Sequence, residues 1–122
     1  MAHVPDATLR HIRNLSPNIQ DAAWFLVYYV RTAGVDLQIT SSVRTRAEQA
    51  RLVGIGASRT LQSKHLIGEA FDVDVHGYGR DQIPLWWFEQ LGQLGEYLGF
   101  RWGGRFSGFK DYGHFENPYT FT

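Results

Sequence analysis

Ser63-Lys-His-Leu-Ile-Gly-Glu-Ala-Phe-Asp-Val-Asp-Val75 carries the pattern on which the fold turns. From Ala70 onward, Phe71, Val73 and Val75 alternate with Ala70, Asp72 and Asp74, the period of a strand with one apolar face. Both carboxylates then project from the other face, where they repel unless a positive charge lies beside them. His65 stands seven residues before Asp72, too far to share the strand, and must reach it from the preceding loop. Gly68 gives that loop its turn, and the small Ala70 leaves room for an imidazole on the carboxylate face. A histidine and a carboxylate brought together in this way form the larger part of a metal site that needs at least one more ligand.

Upstream, Ser16-Pro17 is a helix start, a hydroxyl at the N-cap followed by proline at the first helical position. Ile19, Ala22, Ala23, Leu26, Val30 and Ala33 keep helical spacing as far as Gly34, which predicts the main packing helix. Asp6 is placed to cap a shorter helix through Asn14. Leu37 to Ser41 alternates like a strand, and Thr45 with Glu48 has the spacing of a capping box, predicting a helix from Thr45 to about Val53. Arg44 is thereby pinned between a strand end and a helix start, held in one direction as a substrate-clamping group must be. Gly54 to Gln62 reads as the loop that delivers Ser63 and His65.

Downstream, His76 to Asp81 is a turn-rich connector, and Pro84 opens a helix whose buried stripe is Leu85, Phe88, Leu91, Leu94, Tyr97 and Leu98. Gly92 and Gly95 inside that helix point to close packing. The Phe100 to Thr122 segment is aromatic and glycine-rich without helical period, hence short strands and turns. The expected fold class is α+β, helices packed on a small, mainly antiparallel sheet, with the metal site at the sheet edge. At 122 residues the chain fits one catalytic domain over 1–122, with 1–5 and 118–122 as less ordered tails.

The chain has no cysteine, so any metal is held by His, Asp and Glu, a donor set that fits a catalytic centre better than a structural one. Twelve basic and twelve acidic residues cancel, which argues against nucleic acid or an anionic membrane as a partner. The halves differ, with a net charge of +3 over residues 1–61 and −3 over 62–122. Ten of the twelve basic residues are Arg, so forked bonding to carboxylates is available. The N-terminus shows neither a basic region followed by an apolar core nor a membrane-spanning run. The expectation is a monomer made in the cytoplasm without a signal peptide and without membrane insertion.

In Lys110-Asp111-Tyr112-Gly113-His114-Phe115-Glu116, His114 is the expected third ligand. Two His and one carboxylate leave a fourth zinc position for water. Asp111 then sits beside the metal as the base, taking a proton from water and passing it to a leaving amine. His76 is the rival ligand, although it lies past the strand end in a glycine-rich turn, and Asp74 takes a supporting or structural role. Trp102 and Phe106 are placed to line a substrate groove, whereas Trp86 and Trp87 are expected in the core.

Ser63-x-His65-x-x-Gly68-x-Ala70-x-Asp72, then Asp111-x-x-His114, with Ser42-x-Arg44-Thr45 and Gln49 upstream, closely resembles the zinc peptidases of peptidoglycan stem peptides. That family includes D-Ala-D-Ala carboxypeptidases and the L-alanyl-D-glutamate endolysins of phages, and the endolysin branch is the closer match. The resemblance implies a Zn2+ enzyme binding metal through His65, Asp72 and His114. It implies Asp111 as the base and Arg44 on the substrate or developing oxyanion; Ser63 and Trp102 are further residues expected at the substrate. The bacterial peptidoglycan stem peptide would be the substrate, cut most readily between L-Ala and D-Glu after release to the cell wall in host lysis. The alternatives are a D-Ala-D-Ala carboxypeptidase and a non-catalytic, zinc-stabilised wall-binding module. Two departures stand out, Arg105-Phe106 where an acidic residue and a tryptophan are expected, and Gly113 where proline is common.

Overall fold

The computed structural model describes residues 3–58 and 63–119. The end of the expected Gly54 to Gln62 loop and the outermost residues of both expected tails lie outside the described residues. Among the described residues, four α-helices, α1 (Asp6–Arg13), α2 (Pro17–Thr32), α3 (Arg46–Gly54) and α4 (Leu85–Tyr97), accompany four strands. The strands are β1 (Leu37–Ser41), β2 (Ala70–Val75), β3 (Arg101–Trp102) and β4 (His114–Glu116). They form one antiparallel sheet in the order β1-β2-β4-β3. The α+β class and the extents of β1 and β2 are as expected.

Period 2 sorts the sheet into two faces. Leu37, Ile39, Phe71, Val73, Val75 and Phe115 are buried on one face, where α1 and α2 pack against β1 and α4 packs against β3. Phe71 stacks on Phe115 and meets Phe100 edge-on at the centre of this core. The other face carries Asp72, Asp74, His114 and Glu116, because the register pairs Asp72 with His114 and Ala70 with Glu116. The candidate site is therefore on the two inner strands, not at the sheet edge as expected. The β4 segment inserts between β2 and β3, an order that local patterning does not encode.

Glycine sets how closely α4 approaches the sheet. A Cβ on Gly95 would come within 2.2 Å of the Phe115 ring, and one on Gly92 within 2.2 Å of the Trp102 indole. The expected stripe of α4 is shifted as a result. Phe88, Leu91, Gly92 and Gly95 are buried, whereas Leu85 and Tyr97 are 50% and 78% exposed. Trp87 is partly buried, but Trp86 is 60% exposed and no core residue.

Helix entry also departs from expectation at two points. Pro5 is the N-cap of α1 and Asp6 its first residue, where the carboxylate complements the positive end of the helix dipole. Ser16 is the N-cap of α2, but its hydroxyl donates to the Ile67 carbonyl at 3.3 Å and so ties α2 to the segment entering β2. On α2, Val27 and Arg31 are buried where Ala33 was expected. Arg31 donates through Nε to the His3 carbonyl at 2.7 Å and through Nη1 to Asp36 and the Leu37 carbonyl. With Val4 also buried, the N-terminal segment is anchored from residue 3.

Candidate metal centre

Antiparallel pairing sets the first contact. Asp72 on β2 lies opposite His114 on β4, with Asp72 Oδ1 3.0 Å from His114 Nδ1. His65 arrives from a 3₁₀ turn over Lys64–Ile67, whose N-cap Ser63 accepts the His65 N–H at 3.1 Å. Gly68 ends the turn at φ 72°, where L side chains are strained. A Cβ there would also press to 3.2 Å from the Asn14 carbonyl oxygen. The Arg44 N–H donates to the His65 carbonyl at 3.0 Å, locking the turn to the β1–α3 connection.

The His65 ring is oriented by the backbone. Its Nδ1 is 2.6 Å from the Ser42 carbonyl, which only accepts, so Nδ1 carries the hydrogen. Nε2 is left with its lone pair, buried and without a hydrogen-bond partner among the described residues, 3.3 Å from Asp72 Oδ2. A lone pair facing a carboxylate oxygen in a buried site calls for a cation between them. One donor atom from each of His65, Asp72 and His114 lies within 4.8 Å of the others, and all three residues are buried. Two imidazoles and a carboxylate are the donor set of catalytic zinc, and the residues present fit that ion.

A second layer of contacts holds these donors. Arg44 donates from Nη2 to Asp72 Oδ2 at 2.7 Å, from Nη1 to Gln49 Oε1 at 3.0 Å and from Nε to Ser41 Oγ at 3.2 Å. Gln49, fully buried, is fixed in turn by Ser58 Oγ at 2.9 Å. The Thr45 and Glu48 capping box forms as expected and sets the start of α3 beside Arg44. Glu116, two residues along β4 from His114 and on the same face, places Oε1 2.8 Å from His114 Nε2. Lys64 Nζ lies 3.3 Å from the other Glu116 oxygen.

The electrostatics follow from this packing. Burial pushes the Asp72 carboxyl up, but the hydrogen bond and positive charge of His114 overcome it and hold the group far below the usual carboxylate range. Burial pushes His114 down, yet hydrogen bonds to Asp72 and Glu116 raise it to about 9. In the protein without metal the imidazole is thus a cation between two carboxylates. A metal ion would replace one positive charge at this place with another.

A cleft of about 470 Å³ opens over the group, lined by Arg44, Ser63, Phe106, Phe109 and Asp111 along with the two histidines. Residues 56–117 match the profile of the M15 peptidases described as D-alanyl-D-alanine carboxypeptidase. The chain belongs to this family. The matched segment contains His65, Asp72, Asp111 and His114. The chain is also 32% identical over 120 residues to the L-alanyl-D-glutamate peptidase of Listeria phage A118, covering 92% of this chain and 41% of that protein. It therefore spans less than half the length of that relative. In fold it is similar to the crystal structure of the L-Ala D-Glu endopeptidase ChiX of Serratia marcescens, with a TM-score of 0.69 and 24% identity over 92% of this chain and 86% of that one.

Of the residues expected at the site, His65, Asp72, His114, Asp111, Arg44 and Ser63 are brought together. Trp102 is not. It is only 3% exposed, packed between Gly92 and Gly104, with its indole N–H donated to the Tyr112 carbonyl at 2.8 Å. The neighbouring Phe106 lines the cleft instead. His76 is exposed in its turn and outside the His65, Asp72 and His114 group. Asp74 holds Arg80 at 2.8 Å rather than a ligand. Glu116 and Arg80 were missed. Glu116 carried a usable signal, since His114-Phe-Glu116 alternates like β2; Arg80, in a connector, carried none.

Proposed function

We propose that this protein is a zinc-dependent peptidoglycan hydrolase that cuts an amide bond of the stem peptide, the L-alanyl-D-glutamate bond above others. The observation that carries the reading is the buried His65 Nε2, its lone pair turned toward Asp72 and His114 at the floor of an open cleft. The phage relative, named an L-alanyl-D-glutamate peptidase, supports the choice of bond. Zinc held by His65, Asp72 and His114 would supply a Lewis acid and lower the pKa of water to about 7.

The chain's own residues do the rest. Asp111 lines the cleft with Oδ1 held by Arg80 at 3.0 Å, leaving Oδ2 to accept the proton of the attacking water. As the carbonyl–nitrogen bond breaks, that proton passes to the departing amine, and the products are a carboxylate and a new N-terminus. Arg44 borders the same cleft, and its fork is committed to Asp72, Gln49 and Ser41. Its part is to hold the Asp72 carboxylate in line and to present positive charge to the carboxylates of the stem peptide. Action on the cell wall after release from the host cytoplasm accords with the phage relative.

Mass spectrometry of peptidoglycan digested by the purified, zinc-loaded protein tests this. New N-terminal D-glutamate is the expected product. Released D-alanine would instead support the D-alanyl-D-alanine carboxypeptidase activity after which the matching family profile is described. No product from intact, zinc-loaded protein would leave only a wall-binding role. Asp111→Ala is expected to abolish hydrolysis with zinc content unchanged, read by metal analysis beside the digest.

A further inference from the structure

We propose that Arg80 is the positioning residue for the base, its guanidinium aiming the Asp111 carboxylate into the cleft, with Gly113 leaving the space that this guanidinium and the Val73 carbonyl share. The inference rests on the reading of Asp111 as the base.

Arg80 opens the 3₁₀ turn Arg80–Gln82, in the connector that follows β2. Nε donates to Asp74 Oδ1 at 2.8 Å, Nη1 to Asp111 Oδ1 at 3.0 Å, and Nη2 to the Val73 carbonyl at 3.3 Å. Three nitrogens of a planar fork on three separate acceptors fix the group against rotation, which a lysine ammonium would not do. Asp74 is itself anchored, accepting from Thr40 Oγ1 at 3.1 Å. Thr40 on β1, Asp74 on β2, Arg80 and Asp111 thus form one chain of contacts running from the sheet to the cleft.

Asp111 needs such support. It sits outside regular structure, before the turn into β4, with its side chain 29% exposed. A carboxylate in that setting has several rotamers open to it. Binding Oδ1 to Arg80 selects one and leaves Oδ2 for the proton. Two carboxylates flank Arg80, so the charge of Asp74 offsets part of the cation and Asp111 is not paired with a whole positive charge alone.

Gly113 makes room for this arrangement. A Cβ there would stand 2.5 Å from Arg80 Nη2 and 2.6 Å from the Val73 carbonyl oxygen. Any other residue must displace the guanidinium and also shift the Val73 carbonyl. The Val73 N–H also donates to the Gly113 carbonyl at 2.9 Å, so this close approach is part of the β2–β4 pairing. The departure from proline at position 113, which gives up backbone rigidity two residues after the base, is matched by a side-chain clamp on the base itself.

The test compares Arg80→Ala, Arg80→Lys and Gly113→Ala with Asp111→Ala, using a soluble stem peptide beginning with L-alanyl-D-glutamate. Zinc content and unfolding midpoint are measured for each. Arg80→Ala is expected to lose roughly 10- to 100-fold in kcat with KM within about twofold, because a base misplaced by about an ångström fails in the transition state and not in binding. Zinc content should stay full. Arg80→Lys should recover part of the loss, and Gly113→Ala, whose added Cβ meets both the guanidinium and the Val73 carbonyl, should lose kcat as well. Wild-type kcat in Arg80→Ala, with Asp111→Ala inactive, overturns this inference and leaves the base assignment standing. Wild-type kcat in Asp111→Ala overturns both. A rise in KM alone, or loss of zinc, in Arg80→Ala would make Arg80 a substrate contact or a structural prop and likewise overturns the inference.

Discussion

Glu116 gives the His114 ring one orientation. Its Oε1 lies 2.8 Å from Nε2, so Nδ1 is the nitrogen presented to Asp72 and to any metal. A carboxylate behind a metal-binding imidazole fixes the ring and raises its basicity, and losing such a partner typically costs 10- to 100-fold in metal affinity. Glu116→Gln is therefore expected to weaken zinc binding by roughly that factor, measured by competition with a chelator of known affinity. His65 is oriented by a backbone carbonyl and should resist such tuning, since no side-chain substitution removes the Ser42 acceptor.

Helix α4 shows how packing between elements sets the position of the site. Gly92 and Gly95 let the helix backbone rest on Trp102 and Phe115, and Phe115 lies between His114 and Glu116 on β4. Gly95→Ala would gain helix propensity, about 1 kcal/mol on an exposed surface. Here the added Cβ would lie 2.2 Å from the Phe115 ring, and overpacking dominates. A net loss of about 1–3 kcal/mol is expected from urea unfolding. Equal or greater stability would show that α4 shifts to admit the methyl group. Because Phe115 carries the strand, the same variant should also reduce zinc affinity.

Across the whole molecule, two linkages set how stability responds to conditions. Hydrogen bonds from Arg31 and then Gln38 hold the Asp36 carboxyl below its ordinary value of 3.8. A carboxylate depressed in the folded state stabilises the fold above the unfolded value, and that contribution is lost as pH falls through the folded one. The stability gap between wild type and Asp36→Asn should be present at pH 7 and shrink as pH drops below 3.8, followed by urea midpoints. Metal acts in the other linkage. An ion that binds only the folded cluster adds about 1.4 kcal/mol for each tenfold rise in its concentration above the dissociation constant. The unfolding midpoint should rise with added zinc and fall on chelation, and a midpoint indifferent to both would contradict a zinc site at His65, Asp72 and His114.

What the sequence determined alone was local. The alternation of Phe71, Val73 and Val75, the Thr45 and Glu48 capping box and the Gly68 turn each express contacts within a few residues or the demands of one backbone angle. The candidate ligand residues were legible for the same reason, since residue type and spacing already restrict which donors can meet a metal. Tertiary structure decided the rest. It placed β4 between β2 and β3, which moved the site from the expected edge to the inner strands and buried Trp102 under Gly92. It committed the Arg44 fork to Asp72, put Glu116 behind His114, and brought Arg80 to Asp111 through the space that Gly113 leaves. The Arg44–Asp72 and Arg80–Asp111 contacts join residues far apart in the chain, and Glu116 meets the His114 ring only once both lie on one strand face. They exist only once strand order and register are set, and those depend on how the whole apolar face is buried at once.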